Sequence, residues 1–144
     1  MQVVNKTRKI VLSKNASPAN TLLGRMRGLM FSGKKDLILD CGFDDIPSSA
    51  IHMMFMKFPI DVIWVDSSMT VVDLIKGVEP FNPLKPKTWR IYKPEKPARY
   101  VIELGIGNRS CLLHESPLGG KLRIENRKLG TTQIGDEIEF KQND

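Results

Sequence analysis

Cysteine and histidine are scarce in this sequence, and their scarcity excludes several classes of site. Two cysteines and two histidines occur among 144 residues. Cys41 and Cys111 stand in no paired motif, whereas zinc fingers and thiol redox sites need closely spaced pairs. We therefore predict two small buried apolar residues, no metal centre and no cofactor. The sequence also lacks a phosphate-binding loop, a nucleophile elbow and a metalloprotease motif, so it identifies no reaction.

Long apolar runs are missing as well. The longest apolar stretches are broken by charged residues and are far shorter than the ~18 residues of a membrane-spanning helix. No apolar segment follows the first basic residues, as it would in a secretory signal. We therefore expect a soluble, cytoplasmic, monomeric protein with no membrane partner.

The overall composition is typical of one folded domain, and its charge is unevenly distributed along the chain. The apolar fraction of 41% and the length fit a single core, so one domain is predicted over 1–144. The net charge is +6, but residues 1–35 and 79–99 are strongly basic and residues 36–78 are acidic. These segments can pair with one another across the fold, or the basic ones can face an anionic partner.

Residue patterns predict several short strands and one clear helix. We expect strands at 9–13, 37–39, 50–56, 100–104 and 136–140, and a hairpin that joins 61–66 to 71–75. Ser17 as N-cap and Pro18 at the first helical position predict an amphipathic helix that ends near Gly28. A loop over 41–49 and a second short helix over 122–129 are also expected. The pattern favours an α+β fold, mainly antiparallel β, with a small barrel-like sheet.

Residues 79–97 form a proline-rich stretch with basic and aromatic side chains. Its five prolines disfavour regular structure and predict a long extended loop. Interleaved basic and aromatic residues can bind phosphates and stack bases. The candidates for such contacts are Lys85, Lys87, Trp89, Arg90, Tyr92 and Lys93. We favour the alternative that the aromatic residues fix the loop to the core and the lysines stay solvated, because no recognised nucleic-acid module accompanies the loop.

His52 is followed at alternate positions by Met54 and Met56. On a strand these three side chains share one face, where an imidazole and two thioethers can bind a soft ion such as Cu(I). The alternative is that the methionines fill a core and His52 makes one buried hydrogen bond. We favour the alternative, because no cysteine or second histidine is near in sequence.

The remaining candidate site residues include acidic side chains. Asp61 and Asp66 flank one strand five residues apart, so they point to opposite faces and make a poor acid–base pair. A buried Asp61 needs a partner, and we predict a structural ion pair with Arg27 or Arg99. The turn after the strand favours backbone hydrogen bonds for Asp66.

Arg99 and Glu103 are four residues apart on a predicted strand and share a face with Val101. This face is either a solvated polar surface or the polar floor of a small-molecule pocket in a barrel mouth. The sequence leaves both interpretations open.

Three blocks, taken in order, are distinctive enough to compare with known families. They are residues 24–31 (GRMRGLMF), 49–66 (SAIHMMFMKFPIDVIWVD) and 96–104 (KPARYVIEL), and residues 134–138 match the same pattern near the end. Together they resemble the bacterial and archaeal family called domain of unknown function 192, over about residues 10–140. The resemblance implies a small, mainly β, barrel-like fold with one packed helix. It implies no established activity, cofactor or substrate.

The leading functional hypothesis is a binding or accessory domain for a small molecule or a peptide. Its candidate ligand-binding residues are Arg27, His52, Met56, Asp61, Arg99 and Glu103. Two rival hypotheses are a hydrolytic enzyme that uses Asp61 or Glu103, and a weak nucleic-acid binder that uses the loop 79–99.

Overall fold

The computed structural model of the chain describes residues 1–19, 35–54, 56–106, 114–115, 121–122 and 129–142. Regular structure in these residues is almost entirely β, and the helical element among them is a 3-10 turn at Pro86–Thr88. The strands are β1 (Gln2–Asn5), β2 (Ile10–Ser13), β3 (Ser17–Ala19), β4 (Leu37–Asp45), β5 (Ile51–His52), β6 (Ile60–Val65), β7 (Val71–Val78), β8 (Ile91–Tyr92), β9 (Ala98–Gly105), β10 (His114–Glu115), β11 (Lys121–Leu122) and β12 (Ile138–Lys141). No helix in this part of the chain is long and apolar enough to cross a bilayer.

A five-stranded sheet in the order β3-β4-β9-β6-β7 forms the centre of the fold. Only the β3–β4 pair is parallel, and the other neighbours are antiparallel. Every residue of β6 is buried, which is typical of a strand covered on both faces. Smaller sheets accompany the central one, in the orders β12-β1-β2, β5-β8 and β10-β11.

Two apolar cores lie on opposite faces of the central sheet, because side chains alternate along each strand. The first core contains Val62 and Trp64 of β6 and receives Ile51 and Tyr92 from the β5–β8 ribbon. The second core contains Ile63 of β6 and packs against residues of β1, β2 and β12. The β5–β8 ribbon and the β12-β1-β2 sheet therefore cover opposite faces of the central sheet.

The predicted α+β class and the barrel are both wrong. Ser17 and Pro18, expected to begin a helix, lie in β3 and pair in parallel with Leu37 and Ile38. Proline fits there because β3 is an edge strand, where a missing N–H need not break a ladder. The rest of that predicted helix, including Gly28, lies outside the described residues. The central sheet is open between its edges β3 and β7 rather than closed.

The second predicted helix, over 122–129, begins instead with a residue of β11, and residues 123–128 lie outside the described part of the chain. The expected loop over 41–49 is wrong in its first half, because β4 continues to Asp45. Gly42 has a φ of 86° within an irregular stretch of the β4–β9 pairing. The glycine therefore marks an irregularity inside a strand, which sequence patterns confuse with a loop.

The strand predicted over 50–56 is also mostly wrong, because β5 ends at His52. The Met53 carbonyl accepts hydrogen bonds from the Met56 and Phe81 N–H groups, so the chain turns there instead of extending. The other strands are confirmed within a few residues, including the 61–66 to 71–75 hairpin, which is β6–β7.

Candidate functional site

A groove of about 500 Å³ opens where the end of β5 and the start of β8 meet the proline-rich loop. It is lined by His52, Met53, Met54, Phe81, Thr88, Trp89, Arg90 and Ile91. Most of these side chains are apolar, with an imidazole and a guanidinium among them. This composition is typical of small-ligand sites, where a few polar groups orient a mainly apolar contact.

Alternation along the β5–β8 ribbon brings His52 and Ile91 to the groove. Ile51 pairs with Tyr92 and His52 pairs with Ile91. Ile51 and Tyr92 are buried in the first core, whereas Ile91 is 68% exposed and His52 is also exposed. Because neighbouring residues on a strand point to opposite sides, burying one pair turns the other pair outward.

One wall of the groove is aromatic and held in place. The rings of Phe81 and Trp89 stack with their centroids 6.0 Å apart and their planes at 29°. The Trp89 indole N–H donates to the carbonyl oxygen of Asn82 at 2.9 Å, and the Phe81 backbone N–H donates to the Met53 carbonyl at 3.1 Å. Trp89 is nevertheless 56% exposed. The protein therefore holds a large apolar surface toward solvent in a fixed orientation.

Thr88 closes the loop that carries this wall. It is buried, its Oγ1 accepts the Asn82 N–H at 2.8 Å, and its hydroxyl lies 2.8 Å from the Lys85 carbonyl, to which it donates. Pro86 occupies the start of the 3-10 turn, where its fixed φ is compatible with the local backbone. The proline-rich segment is thus ordered by its own hydrogen bonds, which lowers the entropic cost of binding a ligand.

The loop that carries the aromatic wall is rich in exposed cations, of which Arg90 lines the groove. Lys87, Arg90 and Lys93 are exposed, and no carboxylate of the described residues lies within ion-pair distance of them. The Arg90 guanidinium lies 4.7 Å from the centroid of the Tyr92 ring. Lys85 has a carboxylate 3.9 Å away, that of Glu79.

The His52, Met54 and Met56 side chains do not share a strand face, because β5 ends at His52. His52 and Met54 line the groove, and His52 Nδ1 accepts the Met54 N–H at 3.3 Å. Met56 is partly buried and packs against the first core. The structure therefore brings only part of this predicted cluster together, and adds Trp89 from the basic loop.

Asp61 has a clear local contact. It is fully buried, and its Oδ1 accepts the Gly77 N–H at 2.7 Å. Gly77 has a φ of 65°, and the β6–β7 register shifts between Ile60 and Val62. The carboxylate therefore supports a bulge whose backbone favours glycine.

Arg99 is not the partner of Asp61, and the other candidate, Arg27, lies outside the described residues. Arg99 Nε lies 3.1 Å from Asp40 Oδ1, and its guanidinium is 5.0 Å from the Tyr100 ring centroid. The hydrogen bond and the charge of Asp40 raise the pKa of Arg99. Arg99 is thus part of an ion pair at the strand start.

Glu103 is a buried acid of β9 whose pKa is raised. It is 7% exposed, pairs with Leu37 and Val62 across the sheet, and no described residue hydrogen-bonds its carboxyl. Burial raises its pKa to about 7. Glu103 sits opposite Val62, which packs in the first core, whereas Asp61 sits opposite Leu104, which packs in the second. The two carboxyl groups therefore point to opposite faces of the sheet.

Asp66 caps the β6–β7 turn, as predicted, since its Oδ1 accepts the N–H groups of Ser68 and Thr70.

The sequence analysis did not identify Phe81, Thr88 and Ile91 as groove residues. One signal in the sequence pointed to Phe81, namely the unusual number of aromatic residues in a proline-rich loop.

Known proteins similar to this chain were found by sequence and by structure. A UPF0127 protein of Thermococcus gammatolerans is 36% identical over 73% of this chain and 64% of its own length. A UPF0127 protein of Pyrococcus abyssi is 34% identical over 76% of this chain and 87% of its own length. The chain thus spans less than two thirds of the length of the Thermococcus relative.

A crystal structure of a protein of unknown function from Novosphingobium aromaticivorans has a TM-score of 0.66 with this chain. It is 18% identical and covers 96% of this chain and 82% of its own, which shows a shared fold. The family model DUF192, described as "Uncharacterized ACR", matches residues 3–111. The chain belongs to the DUF192 family, as its sequence blocks predicted, and no defined function comes with that membership.

Proposed function

We propose that this DUF192 protein is a binding protein whose groove takes a planar or bulky apolar group carried by a small molecule or a peptide. The proposal rests on the exposure of Trp89. Its side chain is 56% exposed, yet a hydrogen bond to the Asn82 carbonyl and stacking on the Phe81 ring hold it in place. Exposed aromatic surface in a preformed concavity marks ligand sites more often than it serves stability.

The positions of the two buried carboxyl groups, those of Asp61 and Glu103, favour a binding protein over an enzyme that uses acid–base chemistry. A pair of acids that shares a reaction must reach the same substrate. Asp61 and Glu103 point to opposite faces of the central sheet, and neither lines the groove. The hydrolytic alternative therefore has less support than the binding hypothesis.

A neutral planar probe tests the proposal, and two isoleucines provide a matched pair of variants. Ile91 lines the groove and is 68% exposed, whereas Ile134 is 61% exposed in the turn before β12. We expect Ile91→Ser to weaken binding of 5-fluoroindole by about fivefold, because roughly 1 kcal/mol of apolar contact is lost. Ile134→Ser should leave the affinity unchanged.

The measurement is a fluorine NMR titration of 5-fluoroindole with the natural protein and both variants. Trp89→Ala should abolish saturable binding, since it removes one wall of the groove. Equal losses in the Ile91 and Ile134 variants, or no saturable binding by the natural protein, would contradict the proposal.

A further inference from the structure

We propose that the natural occupant of the groove is an acidic peptide segment that inserts a bulky apolar side chain. The inference rests on the proposed function and names the class of partner. It combines the apolar lining of the groove with the exposed cations of the loop that forms one of its walls.

The apolar lining resembles the centre of a protein interface. Met54 and Trp89 are 46% and 56% exposed, and Ile91 is more exposed still. Tryptophan, methionine and arginine are enriched in interface cores, where a few such residues supply most of the binding energy. Leu84, in the same loop but outside the groove lining, is 91% exposed.

The charge of the surrounding loop selects an anionic partner. Lys87, Arg90 and Lys93 are exposed, with no carboxylate of the described residues paired to them. Glu79 and Glu95 are the acidic residues of 79–97, and Glu79 lies beside Lys85. Unpaired cations around an apolar centre attract and orient a segment of opposite charge.

A peptide fits this lining better than a single-stranded nucleic acid does. Nucleic-acid surfaces stack successive bases on exposed aromatic faces. Here the aromatic rings of the groove, Phe81 and Trp89, already stack on each other, and the other apolar side chains of its lining are thioether and aliphatic. Aliphatic side chains such as Ile91 and Met54 offer contacts to apolar side chains rather than to base faces.

The test compares decapeptides with a central Leu-Phe pair flanked by glutamates, by glutamines or by lysines. Calorimetric titration at about 50 mM salt should give the glutamate peptide an affinity at least about tenfold higher than the glutamine peptide. The difference should shrink at about 300 mM salt, because screening weakens exposed charge pairs. The lysine peptide should bind least tightly.

Reversing the charge of two loop lysines tests whether these side chains cause the preference for the glutamate peptide. The double variant Lys87→Glu/Lys93→Glu should lose the preference for the glutamate peptide and still bind 5-fluoroindole. Lys14→Glu is the control, because Lys14 is exposed just after β2, a strand that packs in the second core, whereas the β5–β8 ribbon beside the groove packs in the first. It should behave as the natural protein does.

Equal affinity for the glutamate and glutamine peptides, with 5-fluoroindole still bound, would overturn this inference and leave the proposed function standing. Tighter binding of an oligothymidylate than of the glutamate peptide at the same salt would overturn it in favour of nucleic acid. Failure of the peptides and of 5-fluoroindole together would remove the proposed function as well.

Discussion

Replacing Glu103 with glutamine is expected to stabilise the protein by about 3 kcal/mol at pH 8 and to change little near pH 4.5. Burial raises the pKa of this carboxyl from 4.5 to about 7. One pKa unit corresponds to about 1.4 kcal/mol of difference between the two protonation states, so the ionised form disfavours the folded state by roughly 3 kcal/mol. Glutamine resembles the protonated acid in shape and carries no charge to bury.

The direction of the pH dependence follows from where the proton is bound. Between pH 4.5 and about 7 the folded protein keeps the Glu103 proton and the unfolded chain has lost it. Stability therefore falls as pH rises through this window and levels off above it. Glu103→Gln should not show this loss. Urea unfolding at pH 5, 6, 7 and 8 measures the difference, with the exposed Glu95→Gln as the control. Parallel pH profiles for the natural protein and the Glu103 variant would contradict the account.

Replacing Asp61 with asparagine is expected to lower the free energy of unfolding by about 1–3 kcal/mol. The carboxylate is fully buried and accepts the Gly77 N–H at 2.7 Å, where Gly77 holds a φ of 65°. An amide oxygen of the same shape accepts this bond less strongly than a charged carboxylate does. The bulge between β6 and β7 should therefore be weakened.

Denaturant unfolding of Asp61→Asn, compared with Asp73→Asn, checks this prediction. Asp73 lies in β7, is only partly buried, and accepts backbone N–H groups from Leu74 and Glu95. Its variant should lose less stability, because solvent can replace its contacts. An Asp61 variant at least as stable as the parent would instead indicate a functional position, since such positions are often not optimised for stability.

The strands that sequence patterns predicted best are those with an uninterrupted apolar run. The β6–β7 hairpin and β9 were predictable because apolar β-branched residues repeat between turn signals. The family was predictable as well, and two of the blocks that identified it include β6 and part of β9.

The prediction that a helix begins at Ser17 was wrong because the same two residues, Ser17 and Pro18, are compatible with two different structures. Ser17 and Pro18 suit a helix N-terminus, and they equally suit an edge strand in which proline need not donate a hydrogen bond. Ser17 and Pro18 form a strand because they pair with Leu37 and Ile38, which are distant in sequence. Local propensity contains no information about such a partner.

The groove was only partly predictable for the same reason. His52, Trp89 and Arg90 were each selected from the sequence, but as members of competing hypotheses. They meet because Ile51 pairs with Tyr92 and because the Thr88 hydroxyl closes the loop. The first of these contacts joins residues more than forty positions apart, and no spacing pattern encodes it.

The two tryptophans allow the central claim, a ligand groove at Trp89, to be tested in the natural protein. Trp64 is fully buried and its indole N–H donates to the Ser49 carbonyl at 2.7 Å, whereas Trp89 is 56% exposed in the groove. A ¹⁵N–¹H spectrum should therefore show two distinct indole signals. Titration with 5-fluoroindole should shift the Trp89 signal in a saturable way and leave the Trp64 signal in place. An unmoved Trp89 signal at saturating probe would contradict the account.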